Sequence, residues 1–329
     1  MKNRLTRLLD ARAENLADGP RVSISTLAET GGFPLVISPK YAGLILTEWI
    51  RENRGLFDEK LHDHGAILLR GFQIDTVEKF RDFINVFEAA PLQYRQRSSP
   101  RYEVAENIYH STTYPEDQHI NMHSENSYSP DQVRRIVFCC IQPAGEQGET
   151  PIADNRMVVR NLTPATRLKF LEKGIKYVRN ISKGIGLSWE EVFQTEDKGE
   201  VEKECTSHGM EFRWDHERLI LSWNNSAIIS HPDTHEEVWF NHAFFFNKYA
   251  YSGEVLATIS SDDDLPFNTF FGDGSEISSA EIEEIRSAYE KASVIFPWKK
   301  GDVLFLDNML ISHGRRPYKG ERKVIVSMF

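Results

Sequence analysis

The chain has 329 residues, 40% of them hydrophobic and 11% aromatic, which is enough for a sizeable core and excludes a disordered composition. A formal net charge of −10 and a pI near 5.6 repel phosphate backbones, so neither nucleic acid nor an anionic membrane is an expected partner. No apolar segment follows Met1-Lys2-Asn3-Arg4 and no run approaches about 18 apolar residues, so the reading is a cytoplasmic protein without signal peptide or membrane span.

In chain order, the first expected helix covers residues 44–54. A second covers 76–89, where Val77, Phe80, Phe83, Ile84 and Phe87 share one face. Between them, His64-Gly65-Ala66-Ile67-Leu68-Leu69-Arg70-Gly71-Phe72 reads as a buried strand closed by glycines, with His62 and His64 as turn residues before it. Residues 133–141 form a second apolar run, containing Cys139 and Cys140. Adjacent cysteines are badly placed for a disulfide and no CxxC spacing exists, so these two and Cys205 are expected as reduced core thiols. Thr163-Pro164 opens a helix that Gly174 ends. Short strands are expected at 176–181, 211–214, 219–223 and 237–240. Ser278-Ser279-Ala280-Glu281 caps a helix running to residue 292, and strands at 303–306 and 323–329 close the chain. Many short strands with a few helices suit an antiparallel sandwich or jelly roll. No βαβ unit with a GxGxxG turn argues for a nucleotide-binding sheet.

The sharpest local feature is Asn121-Met122-His123-Ser124-Glu125-Asn126. In an extended segment, residues two apart point to one side, so His123 and Glu125 can grip one ion together. An imidazole and a carboxylate suit iron(II), and a second imidazole would complete a facial triad with positions left open for a bidentate co-substrate and dioxygen. An H-x-E pair arises easily by chance among eleven histidines, where it would be a solvated strand. His313 changes the balance, because it follows an apolar strand within Asp307-Asn308-Met309-Leu310-Ile311-Ser312-His313-Gly314-Arg315, where it can reach a barrel mouth. His110 and His119 flank this region as supporting or surface residues. His208, His216, His231, His235 and His242 lie in a polar stretch and are expected in solvent. No H-E-x-x-H helix supports a zinc protease.

At this point the chain resembles the taurine dioxygenase (TauD/TfdA) family of iron(II)/2-oxoglutarate oxygenases. The likeness runs through the segment 64–72, His123-Ser124-Glu125-Asn126-Ser127-Tyr128 and Gly148-Glu149-Thr150-Pro151-Ile152-Ala153-Asp154. It continues in Val238-Trp239-Phe240-Asn241, Gly301-Asp302-Val303-Leu304-Phe305-Leu306-Asp307-Asn308 and His313-Gly314-Arg315. The nearest branch hydroxylates amino acids for peptide natural products, sometimes on a carrier protein. The resemblance implies a mainly β double-stranded β-helix, or jelly roll, with helical inserts. It also implies one dioxygenase domain over 1–329, with an insert or lid at roughly 160–293.

By the same resemblance His123, Glu125 and His313 hold iron(II), while Thr150 and Arg322 bind the distal carboxylate of 2-oxoglutarate. Oxidation by O2 then yields succinate, CO2 and a hydroxylated C–H bond. An arginine suits the carboxylate through its planar fork, and alternation along the strand sends Arg322 and Lys323 to opposite faces. Related halogenases carry a small residue where Glu125 stands, so hydroxylation is expected. Asn126 and Arg315 rank first for contact with an amino-acid-like substrate, ahead of Ser127, Tyr128, Asn107, Tyr109, Trp239, Phe240 and Asn241, which serve equally well as core or loop residues. A desaturase or epoxidase on the same iron, a non-catalytic jelly-roll binder and a zinc hydrolase stay open as alternatives, as does a homo-oligomer.

Overall fold

A computed structural model of the chain describes residues 20–27, 30–88, 103–112, 114–130, 132–182, 186–251, 253, 256, 259 and 261–329. The largest sheet contains β1 (Val22–Thr26), β2 (Leu35–Pro39), β3 (Ala66–Leu69), β4 (Glu103–Ala105), β5 (Ile108–His110), β7 (Arg135–Gln142), β17 (Val303–Asp307) and β20 (Lys323–Met328). Its order is β1-β2-β3-β17-β7-β20-β5-β4, and only the β2–β3 pair is parallel among these described strands. A smaller sheet joins β16 (Ser293–Val294), β9 (Ile152–Asp154), β18 (Ile311–Arg315) and β6 (Ile120–His123), in that order. These two sheets make the jelly roll, and β8 (Glu146–Gln147) pairs with β19 (Tyr318–Lys319) as a short two-stranded ribbon.

The apolar runs lack polar alternation because both faces of the large sheet are covered. Ala66, Leu68, Ile136, Phe138, Leu304 and Leu306 point inward to a core shared with Ile152 and Ile311 of the small sheet. Their neighbours Ile67, Leu69, Val137, Val303 and Phe305 point outward, under Trp49, Phe57, Phe80 and Phe83 of three helices. Those helices are Leu46–Glu52, Arg54–His64 and Val77–Asn85. The one helix expected at 44–54 is thus split at Asn53, and His62 and His64 belong to the second helix rather than to a turn, with Gly65 as its left-handed cap. Thr76 caps the third helix by accepting the Lys79 amide N–H; its expected end at residue 89 lies outside the described residues.

Between β9 and β16 the chain builds a second body of structure. The helices Asn155–Asn161, Pro164–Lys173 and Ser279–Ala292 flank a four-stranded antiparallel sheet. The sheet contains β10 (Ile175–Ile181), β11 (Glu211–Asp215), β12 (Arg218–Asn225) and β15 (Phe267–Phe271), ordered β11-β12-β10-β15. Ser278 and Glu281 form the expected capping box, and Thr163 caps the helix that begins at Pro164. The helices Trp189–Phe193 and Lys198–Ser207, unread from sequence, also lie here, as does a hairpin of β13 (Ile228–Ser230) and β14 (Glu237–Trp239). Ser293 and Val294 pair with Ala153 and Ile152, so the whole segment departs and returns at one place. All three cysteines are free and buried. No helix among the described residues is long and apolar enough to cross a membrane.

Candidate active site

His123 ends β6, and in the small sheet its register partner is His313 of β18. The pairing needs Gly314. A Cβ there would stand 2.7 Å from the Ile120 carbonyl oxygen and 3.1 Å from the Met122 sulfur, so only glycine lets the two strands close together behind the histidines. His313 therefore sits inside a paired strand, not at a free strand exit. Glu125 follows where β6 has ended and is fixed by a side chain instead. Asn308 accepts the Glu125 amide N–H on Oδ1 at 2.8 Å and donates from Nδ2 to the carbonyls of Glu125 and Val133, each at 2.8 Å.

Ligand atoms of His123, Glu125 and His313 all lie within 4.8 Å of one another. Nε2 of His123 is 4.0 Å from Oε2 of Glu125, and the two imidazole centroids are 4.5 Å apart. Nδ1 of His123 sits 2.8 Å from the Asn121 carbonyl oxygen, which places its proton there and leaves the Nε2 lone pair facing the carboxylate. Two imidazoles and one carboxylate, held this close and mostly buried, fit a 2-His-1-carboxylate iron(II) site. Behind them lies a buried polar knot. Ser124 Oγ is 3.0 Å from Ser312 Oγ; Asn155 donates to Ser124 Oγ and accepts from the Ser312 hydroxyl.

His231 and His242 correct the expectation of exposure. His231 is fully buried, with Nε2 3.2 Å from Asp307 Oδ2 and Nδ1 accepting the amide N–H groups of Asp233 and Thr234. Its burial is tolerable because both ring nitrogens are satisfied. His242 is 4% exposed, packs 5.7 Å from the His123 ring, and meets Ser127 Oγ at 2.7 Å through Nδ1. Burial, then the neighbouring His123, holds its imidazole well below the usual histidine range, so it stands neutral beside the triad. His208, His216 and His235 are exposed as expected.

Thr150 and Arg322 meet. Thr150 Oγ1 lies 3.4 Å from Arg322 Nη2, while Arg322 also donates to the Gly148 carbonyl at 2.9 Å and to Ser111 Oγ at 3.3 Å. Gly148 makes this approach feasible: its φ is +72°, and a Cβ would stand 2.9 Å from Tyr318 Cβ and 3.1 Å from Arg322 Cδ. Burial, reinforced by the charge of Arg315, lowers the Arg322 guanidinium to about 10, the mark of a cation short of counter-charge. Arg315 is 3% exposed and directs its fork at backbone, donating to the carbonyls of Tyr114 at 2.8 Å, Gln118 at 2.6 Å and Pro115. Asn126 is buried with a φ of +52°, at the bend leaving the metal-binding pair. Trp239 and Phe240 are core, and the Asn241 side chain serves loop backbone through Ala227 O and Ala243 N–H. Asn107 turns the chain between β4 and β5, and Tyr109 lies on β5.

The model of the taurine catabolism dioxygenase TauD, TfdA family matches residues 31–328. The chain belongs to this family. As a dioxygenase of that family it works with iron(II), 2-oxoglutarate and dioxygen. Dapdiamide synthesis protein DdaC of Enterobacter agglomerans is 39% identical over 276 residues, covering 82% of this chain and 84% of that protein. A clavaminate synthase-like protein of Arabidopsis thaliana is 28% identical over 319 residues, covering 91% and 94%. Among solved structures, PvcB of Pseudomonas aeruginosa superposes on the dioxygenase with a TM-score of 0.56 at 14% identity, covering 95% of this chain and 92% of that one. That likeness is one of fold.

Proposed function

We propose that this dioxygenase hydroxylates an unactivated C–H bond of a small amino-acid-like substrate, free or tethered to a carrier protein, with succinate and CO2 as co-products. The observation that carries the proposal is the convergence of His123, Glu125 and His313, with Thr150 and Arg322 in contact nearby. The substrate class rests on the relatives' names, a dapdiamide synthesis protein and a clavaminate synthase-like protein.

In this reading His123, Glu125 and His313 hold iron(II), which supplies the oxidising chemistry once 2-oxoglutarate and dioxygen are bound. Arg322 and Thr150 receive the distal carboxylate of 2-oxoglutarate, the guanidinium gaining the counter-charge that its buried setting lacks. Glu125 fills the position that a halide would need, which favours hydroxylation. Asn126 and Arg315 are the substrate-side residues, Arg315 acting through the 114–118 segment that its fork ties down. The insert at roughly 160–293 acts as the lid. It is already fastened to the metal segment, since the Tyr128 carbonyl accepts from Trp223 Nε1 at 2.8 Å and Asn225 Nδ2 at 3.0 Å.

The test is anaerobic titration with iron(II) and then 2-oxoglutarate, watching for a weak visible charge-transfer band. A band lost in His313→Ala supports the assignment. Iron-loaded, folded protein without a band at saturating 2-oxoglutarate would refute it and return attention to a hydrolase or a binding protein.

A further inference from the structure

We propose that Trp298 is a positioning residue that sets the polarity of the Thr150 hydroxyl, forcing it to donate a hydrogen bond to the distal carboxylate of 2-oxoglutarate. The inference rests on the reading of Thr150 given above and adds a residue that no sequence motif singled out. A threonine hydroxyl has one proton to give and lone pairs to accept with, and by itself it turns freely between the two roles. Here Trp298 Nε1, which can only donate, stands 3.1 Å from Thr150 Oγ1. Arg322 Nη2, also only a donor, stands on the same oxygen at 3.4 Å. With both neighbours donating, the Thr150 proton has to point elsewhere. Thr150 is 3% exposed and Trp298 8% exposed, so water cannot easily take over either role.

The indole is itself held rigidly. It lies on the segment between β16 and β17, and the residues on either side of it are tethered. Arg70 donates to the Pro297 carbonyl at 3.0 Å, and the Lys299 amide N–H donates to Asp302 Oδ2 at 2.8 Å. Arg70 and Asp302 clasp each other, Nε to Oδ1 at 3.0 Å and Nη2 to Oδ2 at 2.7 Å, in the forked geometry that resists rotation. Arg70 of the early strand motif and Asp302 of the late one thus meet at one place, and what they fix there is the chain on both sides of Trp298. The result is a cluster of preset donors, suited to an anion and poorly suited to a neutral group in the same position.

The experiment measures binding of 2-oxoglutarate and of 2-oxopentanoate, which lacks the distal carboxylate, to the anaerobic iron(II) protein by the charge-transfer band, with iron(II) affinity and thermal midpoint measured in parallel. Trp298→Phe keeps a ring and removes the N–H. It should raise the Kd of 2-oxoglutarate about tenfold, as expected for loss of one oriented hydrogen bond to a charged group. The Kd of 2-oxopentanoate and of iron(II) should stay within about twofold. In a Thr150→Val background the same substitution should have no further effect on 2-oxoglutarate. Trp298→Leu also lacks the N–H and serves if the first variant does not fold. An unchanged 2-oxoglutarate Kd, or equal weakening of both oxo acids, overturns the inference. Wild-type protein that binds iron(II) but neither oxo acid overturns the proposed function and this inference with it.

Discussion

Replacing Asn308 with alanine removes one carboxamide and three hydrogen bonds, two of them to the main chain of Glu125 and one to Val133. Asn308 is fully shielded from solvent, so no water replaces the lost partners. Each buried bond contributes about 1 kcal/mol net, and stranded partners add desolvation, giving an expected loss of about 3–5 kcal/mol. Glu125 lies beyond the end of β6 and depends on this grip, so the metal site should loosen as well. Loss of a residue that orients a ligand typically weakens metal binding about 10–100-fold. Urea unfolding of the metal-free protein gives the first quantity, and cobalt(II) titration by visible absorbance gives the second. Asn308→Asp sharpens the comparison, because it keeps an acceptor for the Glu125 N–H but turns an anionic oxygen toward two carbonyls. Stability within about 0.5 kcal/mol of wild type, together with cobalt affinity within twofold, would refute the reasoning. A fall in stability with undiminished affinity would confine Asn308 to the fold.

Arg322→Lys leaves a charge but no fork, and 2-oxoglutarate affinity measured by the charge-transfer band should drop about 10–100-fold while iron affinity is retained. Gly148→Ala meets both a left-handed backbone and a crowded Cβ position; urea unfolding should register a loss of about 1–3 kcal/mol, and 2-oxoglutarate should bind more weakly as Arg322 is displaced. Asp307 gives a pH test. Burial alone would raise its carboxyl, but the hydrogen bond from His231 and the charge of Arg135, 2.5 Å away, outweigh this and hold it below the ordinary 3.8. A depressed carboxyl stabilises the fold fully above its unfolded value and loses that contribution as pH falls through the folded value. The stability gap between wild type and Asp307→Asn should therefore be flat above pH 5 or so and shrink below about pH 4, by urea midpoints across that range. A gap independent of pH would contradict the assigned partners.

The strands that carry the jelly roll could be read from sequence because burial on both faces writes an unbroken apolar run, as at residues 66–69 and 303–306. The helix that starts at Ser279 was equally plain, since a capping box is a local signal. What escaped depends on distant partners. His242 reads as a solvent residue because Ser127, which meets its ring, stands 115 positions earlier, and His231 does so because its partner Asp307 lies 76 positions away. Asn308 grips Glu125 across 183 positions, so its motif could be noticed but its task could not. The helices Arg54–His64 and Lys198–Ser207 escape because each buries only two apolar residues, Phe57 and Leu61 in one and Val201 and Cys205 in the other, too few to write a stripe.

The pairing of β9 with β16 bears on how this protein can vary. Ile152 is register partner to Val294 on one side and to His313 on the other, so the insert is rooted one strand away from a metal ligand. Its first and last helices are latched, Asn161 donating to the Ala288 carbonyl at 3.2 Å. Such a root behaves as a closed stem. For a flexible loop on a closed base, doubling the length adds only about 0.6 kcal/mol of closure entropy. Length can therefore be added at the exposed turns of the segment between 162 and 278 at little entropic cost, whereas His242 on the His123 ring, Trp223 and Asn225 on the Tyr128 carbonyl and His231 on Asp307 tie its interior to the metal segment. What such a stem permits is change in length at those turns, not exchange of the residues that lie against the triad.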